Sequence, residues 1–294
     1  MTSSSSKHST VRLIYPDWVS GGLSTYWWGS KVLERLIPEN NNQQVLHVDI
    51  PQPHASSFQQ TLQLEQGIAG LKHILLAHKQ AEQLLEKSQA DHVITLGGSC
   101  WVSHAPFDYL HKLYPHAGII WIDAHPDVSH AQHGYPMAHA MVLADLMGHG
   151  DEAFTSLRQN DPFAPSDILY VGLQQLLSPQ QDFLTEHQIC AVARSADKLD
   201  GNAIEVFARK HNQVLVHLDI DVLSPHLFHD TYFAAPNAEG DGSGAGVLRI
   251  EQVSRILTAI TQSSEMIGFT IAEYLPFSAE KLAQLLYELP IFTT

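Results

Sequence analysis

At 294 residues the chain is long enough for one large α/β domain or two smaller ones, with a substantial core. Its 31 acidic against 16 basic side chains leave a formal charge of −15, which speaks against nucleic acid or an anionic membrane as a partner, since both recruit basic patches. The two cysteines, Cys100 and Cys190, indicate no disulfide framework, so a reducing cytoplasm is the expected setting.

The first ten residues, MTSSSSKHST, are polar and serine-rich, so 1–10 is expected to be a poorly ordered tail before one domain over 11–294. The tail has no apolar signal-peptide core, and no later apolar run approaches a membrane span. A strand is predicted over 11–15 and a helix over 24–36, where Trp27 and Trp28 read as packing residues. A strand over 45–50 precedes the stretch 56–88, whose Leu62, Ile68, Leu71, Leu75, Leu84 and Leu85 recur at mostly helical spacing. A strand over 92–96 runs into Gly97-Gly98-Ser99-Cys100. A helix over 103–113 then leads to a strand over 119–123, which ends in Asp123 with His125 and Asp127 beyond it. Helix 137–147, an irregular stretch 161–166, strand 168–171, helix 179–186, a strand near 189–192 and helix 201–211 follow. Strand 214–219 ends in Asp219 and Asp221 and opens into a long loop, 224–246. Helix 250–262, strand 266–271 and helix 279–289 close the chain. This alternation, without linker, repeat or break in composition, predicts an α/β fold: a single doubly wound, mainly parallel sheet with helices on both faces.

In such sheets ligands bind beyond the carboxyl ends of the strands. Asp219 and Asp221 stand two apart on one face of a strand tip, and Asp123, His125 and Asp127 repeat the alternation at another. Like charges gathered there are costly to bury unless a cation sits between them. Hard carboxylates with one imidazole suit one or two divalent ions. For either motif taken alone, an Asp that merely caps the following turn is an equally good reading. Two further strand ends, at Gly97–Cys100 and at Glu273, are expected to converge on the same place. Other histidines (His104, His111, His116, His149, His187, His211) show no ligand spacing.

Together the four strand ends resemble the ureohydrolase family of arginases, agmatinases and formiminoglutamases. The family patterns G-G-D-H-S, D-A-H-x-D, S-x-D-x-D-x-x-D-P and E-x-x-P stand here as Gly97-Gly98-Ser99-Cys100-Trp101, Asp123-Ala124-His125-Pro126-Asp127, the run from His217 to Pro225, and Glu273-Tyr274-Leu275-Pro276. His133-Gly134-Tyr135-Pro136 looks like the family's H-G-x-P. The resemblance implies an arginase-like three-layer α/β/α fold and two divalent metal ions, Mn²⁺ in most of the family. It implies that Asp123 and Asp219 bridge the ions, that His125 and Asp221 complete one shell, and that Asp127 and Cys100 complete the other. It further implies hydrolysis of a guanidino or formimino C–N bond in a small molecule by a metal-activated hydroxide, with release of urea. Asp127 would pass the proton on, His133 would shuttle it, and Glu273 would pair with the guanidinium. A homo-oligomer is the matching expectation.

Three departures qualify this. Cys100 stands where the family has a metal-binding His, and Ser99 where it has Asp; a softer thiolate shifts preference toward Zn²⁺, Fe²⁺, Co²⁺ or Ni²⁺. The segment from Asp127 to His133 is short, and the run from Gly172 to Pro179 lacks the carboxylate that reads an α-amine. Arginine is therefore expected to be a poor substrate. Cys100 can also be read as an inert buried thiol, with His104 as the reserve ligand. The alternative function is a metal-poor relative kept for binding or regulation.

Overall fold

Eight strands, every neighbouring pair parallel, form one sheet in the computed structural model, which describes residues 9–54, 61–192, 201–235, 243–287 and 291. In chain order they are β1 (Thr10–Tyr15), β2 (Gln44–His47), β5 (His92–Gly97), β6 (Gly118–Ile122), β7 (Ile168–Val171), β8 (Cys190–Val192), β9 (Gln213–Asp219) and β10 (Glu265–Ala272). Across the sheet the order is β2-β1-β5-β10-β9-β6-β7-β8. The four strands whose ends carry the polar motifs, β5, β10, β9 and β6, are therefore adjacent. Register aligns their tips: Ile271 pairs with Leu96, Ala272 with Asp219, and Ile122 with Leu218. One-sided tips would scatter these side chains; aligned tips gather them.

Both faces of the sheet are covered, as runs such as Ile119-Ile120-Trp121-Ile122 require when alternate residues point to opposite cores. Ile119, Trp121 and Leu215 join a core closed by helices α2 (Leu71–Ser88) and α3 (His104–Leu113). Ile120, Ile122, Val214 and Val216 join a second core with α6 (Gly201–His211) and α7 (Ile250–Ser263). Leu33 of α1 (Thr25–Leu36) packs on Ile14 and Leu96 at the same side's other end. The remaining helices are α4 (Val142–Leu146), α5 (Ser178–Glu186) and α8 (Phe277–Tyr287).

The stretch expected to be helical over 56–88 differs. Residues 55–60 lie outside the described residues, and a hairpin of β3 (Leu64–Glu65) and β4 (Ile68–Ala69) precedes α2. Gln66 and Gly67 both take positive φ, the geometry of a tight two-residue turn, which overrides the helical spacing of Leu62 and Ile68. Gly70 then starts α2 at φ +68, where a Cβ would lie 2.3 Å from Val19. The helix expected over 137–147 is a 3₁₀ turn, Ala138–Met141, followed by the short α4. β1 begins at Thr10, inside the expected tail, and residues 1–8 lie outside the described residues. So do 236–242 of the long loop and 288–290 beyond α8.

Candidate metal centre

Each strand-end Asp uses one oxygen locally and turns the other inward. Asp219 Oδ1 accepts a bond from the Asp221 amide at 2.6 Å, and Asp123 Oδ1 accepts one from the His125 amide at 2.6 Å. The capping reading of these motifs is thus correct for half of each carboxylate. The other halves face a shared centre: Asp219 Oδ2 lies 2.9 Å from the Cys100 sulfur, and Asp123 Oδ2 accepts a bond from Trp121 Nε1 at 2.9 Å. Across from them His125 Nδ1 sits 2.9 Å from Asp221 Oδ2. Asp127, at φ +50, is held by its carbonyl, which accepts bonds from the Leu143 and Ala144 amides. Glu273 sits at φ +60 beyond β10, with its amide donating to the Gly98 carbonyl at 2.7 Å. Its Oε2 takes the Tyr26 hydroxyl at 2.9 Å, and its Oε1 lies 2.7 Å from His139 Nδ1 and 3.4 Å from the Cys100 sulfur.

Nearly all of this is buried, and the charges are strained accordingly. Burial, then the charge of Asp221, pushes the Asp123 carboxyl up to about 7. Burial and neighbouring carboxylates hold Asp127 and Asp219 well above the usual range. Burial raises the Cys100 thiol too, and Asp127, Asp219 and Glu273 add to it. Burial works against the charged forms of Asp221 and His125 as well. There their mutual attraction wins, holding Asp221 low and His125 well above its ordinary value.

A cation fits this arrangement. Asp127 Oδ2, Asp221 Oδ1 and His125 Nε2 are buried polar atoms without a partner among the described residues, which is costly unless something outside the chain satisfies them. Asp123, His125 and Asp221 bring ligand atoms within 4.8 Å of one another, and so do Cys100, Asp123, His217 and Asp219. The first set holds three of the four residues expected on one side, without Asp219. The second contains three of the four expected residues, with His217 in place of Asp127. Asp127 lines the cavity beside them but joins neither set.

The cavity holds about 310 Å³ and is lined by Cys100, His125, Asp127, Asp219, Asp221 and Glu273 at its floor. His133 is not among its lining residues. It is exposed, with its ring 5.5 Å from that of His130. His139, six residues on, lines the cavity instead. The 3₁₀ turns between the two histidines leave His133 outside and bring His139 to the cavity. His104 is also remote: its Nε2 binds Asp145 at 2.6 Å and its ring stacks on Trp101. His217 carried a readable signal, since it precedes Asp219 by two and so shares its face. Tyr26 carried none.

These features define a doubly wound α/β protein with clustered candidate metal ligands at the carboxyl edge of its sheet. Residues 62–288 match the arginase family, and the chain belongs to it. An arginase of Staphylococcus aureus (strain COL) is 30% identical over 141 residues, 45% of this chain and 46% of that protein, so the match spans about half its length. An agmatinase of Halalkalibacterium halodurans is 27% identical over 206 residues, 66% of this chain and 60% of its own. In structure, Entamoeba histolytica arginase superposes with a TM-score of 0.75 at 19% identity, over 92% of this chain and 91% of that one. A putative agmatinase from Clostridium difficile gives 0.61 at 16%, over 95% and 92%.

Proposed function

We propose that the protein is a metal-dependent ureohydrolase that cleaves a guanidino or formimino C–N bond in a small molecule and for which arginine is a poor substrate. The observation that carries this is the set of buried ligand atoms, unpartnered among the described residues, of His125, Asp127 and Asp221, which line one cavity with Asp219, and the clustering of Asp123 with His125 and Asp221. Asp123, His125, Asp219 and Asp221 would hold the ions, with Cys100 on the second; Mn²⁺ is the family's metal, and the thiol favours Zn²⁺, Fe²⁺, Co²⁺ or Ni²⁺. Such ions, when bound, bring the pKa of water near neutrality.

The chain's own residues do the rest. Glu273 offers its carboxylate to a guanidinium, oriented by Tyr26 and His139. Asp127 Oδ2, without a partner among the described residues, would take the proton. His139 takes over the shuttle role first given to His133. Burial opposes its charge, the Glu273 carboxylate outweighs burial, and its pKa is raised. Its Nε2 meets the Tyr135 hydroxyl at 2.9 Å, which fixes the ring.

Farther out, Leu23, Met137, Leu177, Tyr232 and Phe233 form the wall, and no lysine or arginine is among the described lining residues. Gln180, one of the polar lining residues with Ser129, Tyr135 and Ser243, already uses its amide on Ser129 Oγ at 3.2 Å and on the Leu177 amide at 2.9 Å. This supports an uncharged tail over an α-amino acid. Among the described residues no helix is long and apolar enough to cross a membrane; a cytoplasmic homo-oligomer completes the proposal. The test is release of urea from a panel of guanidines, and of formamide from formimino compounds, by metal-loaded protein. Silence across the panel, with two ions bound, defeats the reading.

A further inference from the structure

We infer that His217 is a metal ligand, forming with Cys100, Asp123 and Asp219 a buried Cys/His/Asp/Asp site for a borderline divalent ion such as Zn²⁺ or Co²⁺. The inference rests on the metal-dependent reading of the centre and adds a donor to it. All four side chains are buried, and their ligand atoms lie within 4.8 Å of one another. His217 Nε2 is fully enclosed and has no partner among the described residues. Its nearest carboxylate oxygen, Asp123 Oδ2, is 3.8 Å away, too far for a hydrogen bond. A nitrogen left in that state needs an occupant.

The rest of the ring is fixed as ligating imidazoles usually are. Nδ1 is 2.8 Å from Ser103 Oγ, and the ring stacks on Trp121 at 3.7 Å and 7°. That outer contact sets the ring plane and leaves Nε2 aimed at the cluster. Trp121 in turn donates to Asp123 Oδ2, so one indole orients two members of the set.

The sequence departures then make sense together. The family pattern has His where this chain has Cys100 and Ser where it has His217. In space the two positions fall in one cluster with Asp123 and Asp219, so the imidazole lost at one is regained at the other. One thiolate, one imidazole and two carboxylates make a four-donor set of the kind Zn²⁺ takes, and softer than an all-oxygen shell.

The test is a Co²⁺ titration of the full chain, followed by metal analysis and by the near-ultraviolet thiolate-to-cobalt band. Wild type should bind two ions per chain and show the band. His217→Ser should keep the His125–Asp221 ion, with an unchanged circular dichroism spectrum, and weaken the second by 10–100-fold, roughly what loss of even an outer-shell partner costs. The double variant Cys100→His/His217→Ser should regain two ions without the band. Wild-type affinity and an unchanged band in His217→Ser would overturn the assignment. Should that variant fail to fold, X-ray absorption of the two-zinc wild-type protein decides. Two imidazoles per chain, a count that His139→Asn leaves unchanged, support the site, and one rejects it. Wild-type protein that binds two ions yet releases no urea from any guanidine defeats only the proposed reaction. Wild-type protein that binds none defeats both.

Discussion

The sulfur of Cys100 lies 2.9 Å from Asp219 Oδ2, closer than its 3.4 Å to Glu273 Oε1, and the pair is buried. Without a cation the thiol must carry the proton, because burial and the surrounding carboxylates oppose a thiolate. With a cation the same contact becomes two anionic donors on one ion. Cys100→Ala should therefore lower the occupancy of one metal and leave the His125–Asp221 ion in place. Cys100→His should restore two and move preference toward Mn²⁺. Equal metal counts in wild type and Cys100→Ala, prepared side by side, would reduce Cys100 to packing.

Asp123 and Asp219 differ from Glu273 in what their loss should do. Asp123→Asn or Asp219→Asn removes a negative charge from between the expected ions, which then repel across a short gap. At least one ion and all hydrolysis should go. Glu273→Gln keeps its bond from Tyr26 and its shape, so metal content should stay near wild type while use of a cationic substrate weakens. Metal analysis beside urea release separates the two. The reverse pattern would exchange the roles.

The crowded carboxylates make a pH signature. An unfolded Asp titrates near 3.9, whereas folded Asp123 is pushed up to about 7 and Asp127 and Asp219 are raised with it. Between those values the folded chain holds more protons than the unfolded one, so stability of metal-free protein falls as pH rises through roughly 4 to 7. Metal replaces those protons. Added divalent ion should then raise Tm most at pH 7–8 and least near pH 5, and its binding should release protons. Calorimetry in two buffers of different ionisation enthalpy counts them. Metal binding that releases no protons, with a Tm gain no larger at pH 7–8 than near pH 5, would contradict the burial of these charges.

What the sequence could show follows period and tip chemistry. Alternation along β6 and β9 decides which of their residues face the same way, so Asp123, Asp219 and Asp221 are readable as neighbours from the sequence. The sheet's order is not. Nothing local places β10 between β5 and β9, and Glu273 joins the site through that pairing alone. The segment after Asp127 was the weakest point, since two short 3₁₀ turns leave no periodic trace. There the motif points to His133, whereas His139 is the imidazole packed against Glu273.

That exchange is testable by itself. His139→Asn removes the titrating group but keeps a polar side chain near Glu273, and should cut turnover by about 10²–10⁴-fold, the usual size of a general acid–base contribution. It should also flatten the pH profile with metal content unchanged. His133→Ala, on the exposed turn, should leave turnover within a few-fold of wild type. If His133→Ala were the damaging change, the shuttle would belong to the turn after all.

Substrate choice tests the outer wall. Reading an α-amino acid needs charge-assisted hydrogen bonds worth roughly 1.5–3 kcal/mol each, and the described wall offers Leu23, Met137, Leu177, Tyr232 and Phe233 in their place. Two missing elements put L-arginine at least ~100-fold in kcat/KM below a straight-chain alkylguanidine of similar length. Phe233, whose ring lies 5.8 Å from that of His125, should account for part of the gap. Phe233→Ala exchanges about 1.5–3 kcal/mol of apolar burial for water, which should cost the alkylguanidine roughly tenfold or more and arginine little. Steady-state urea release with both substrates on both proteins gives the four numbers. Arginine turnover at ~10⁴ M⁻¹s⁻¹, an ordinary enzyme's efficiency, would mean that the wall reads the amino-acid end by groups other than these.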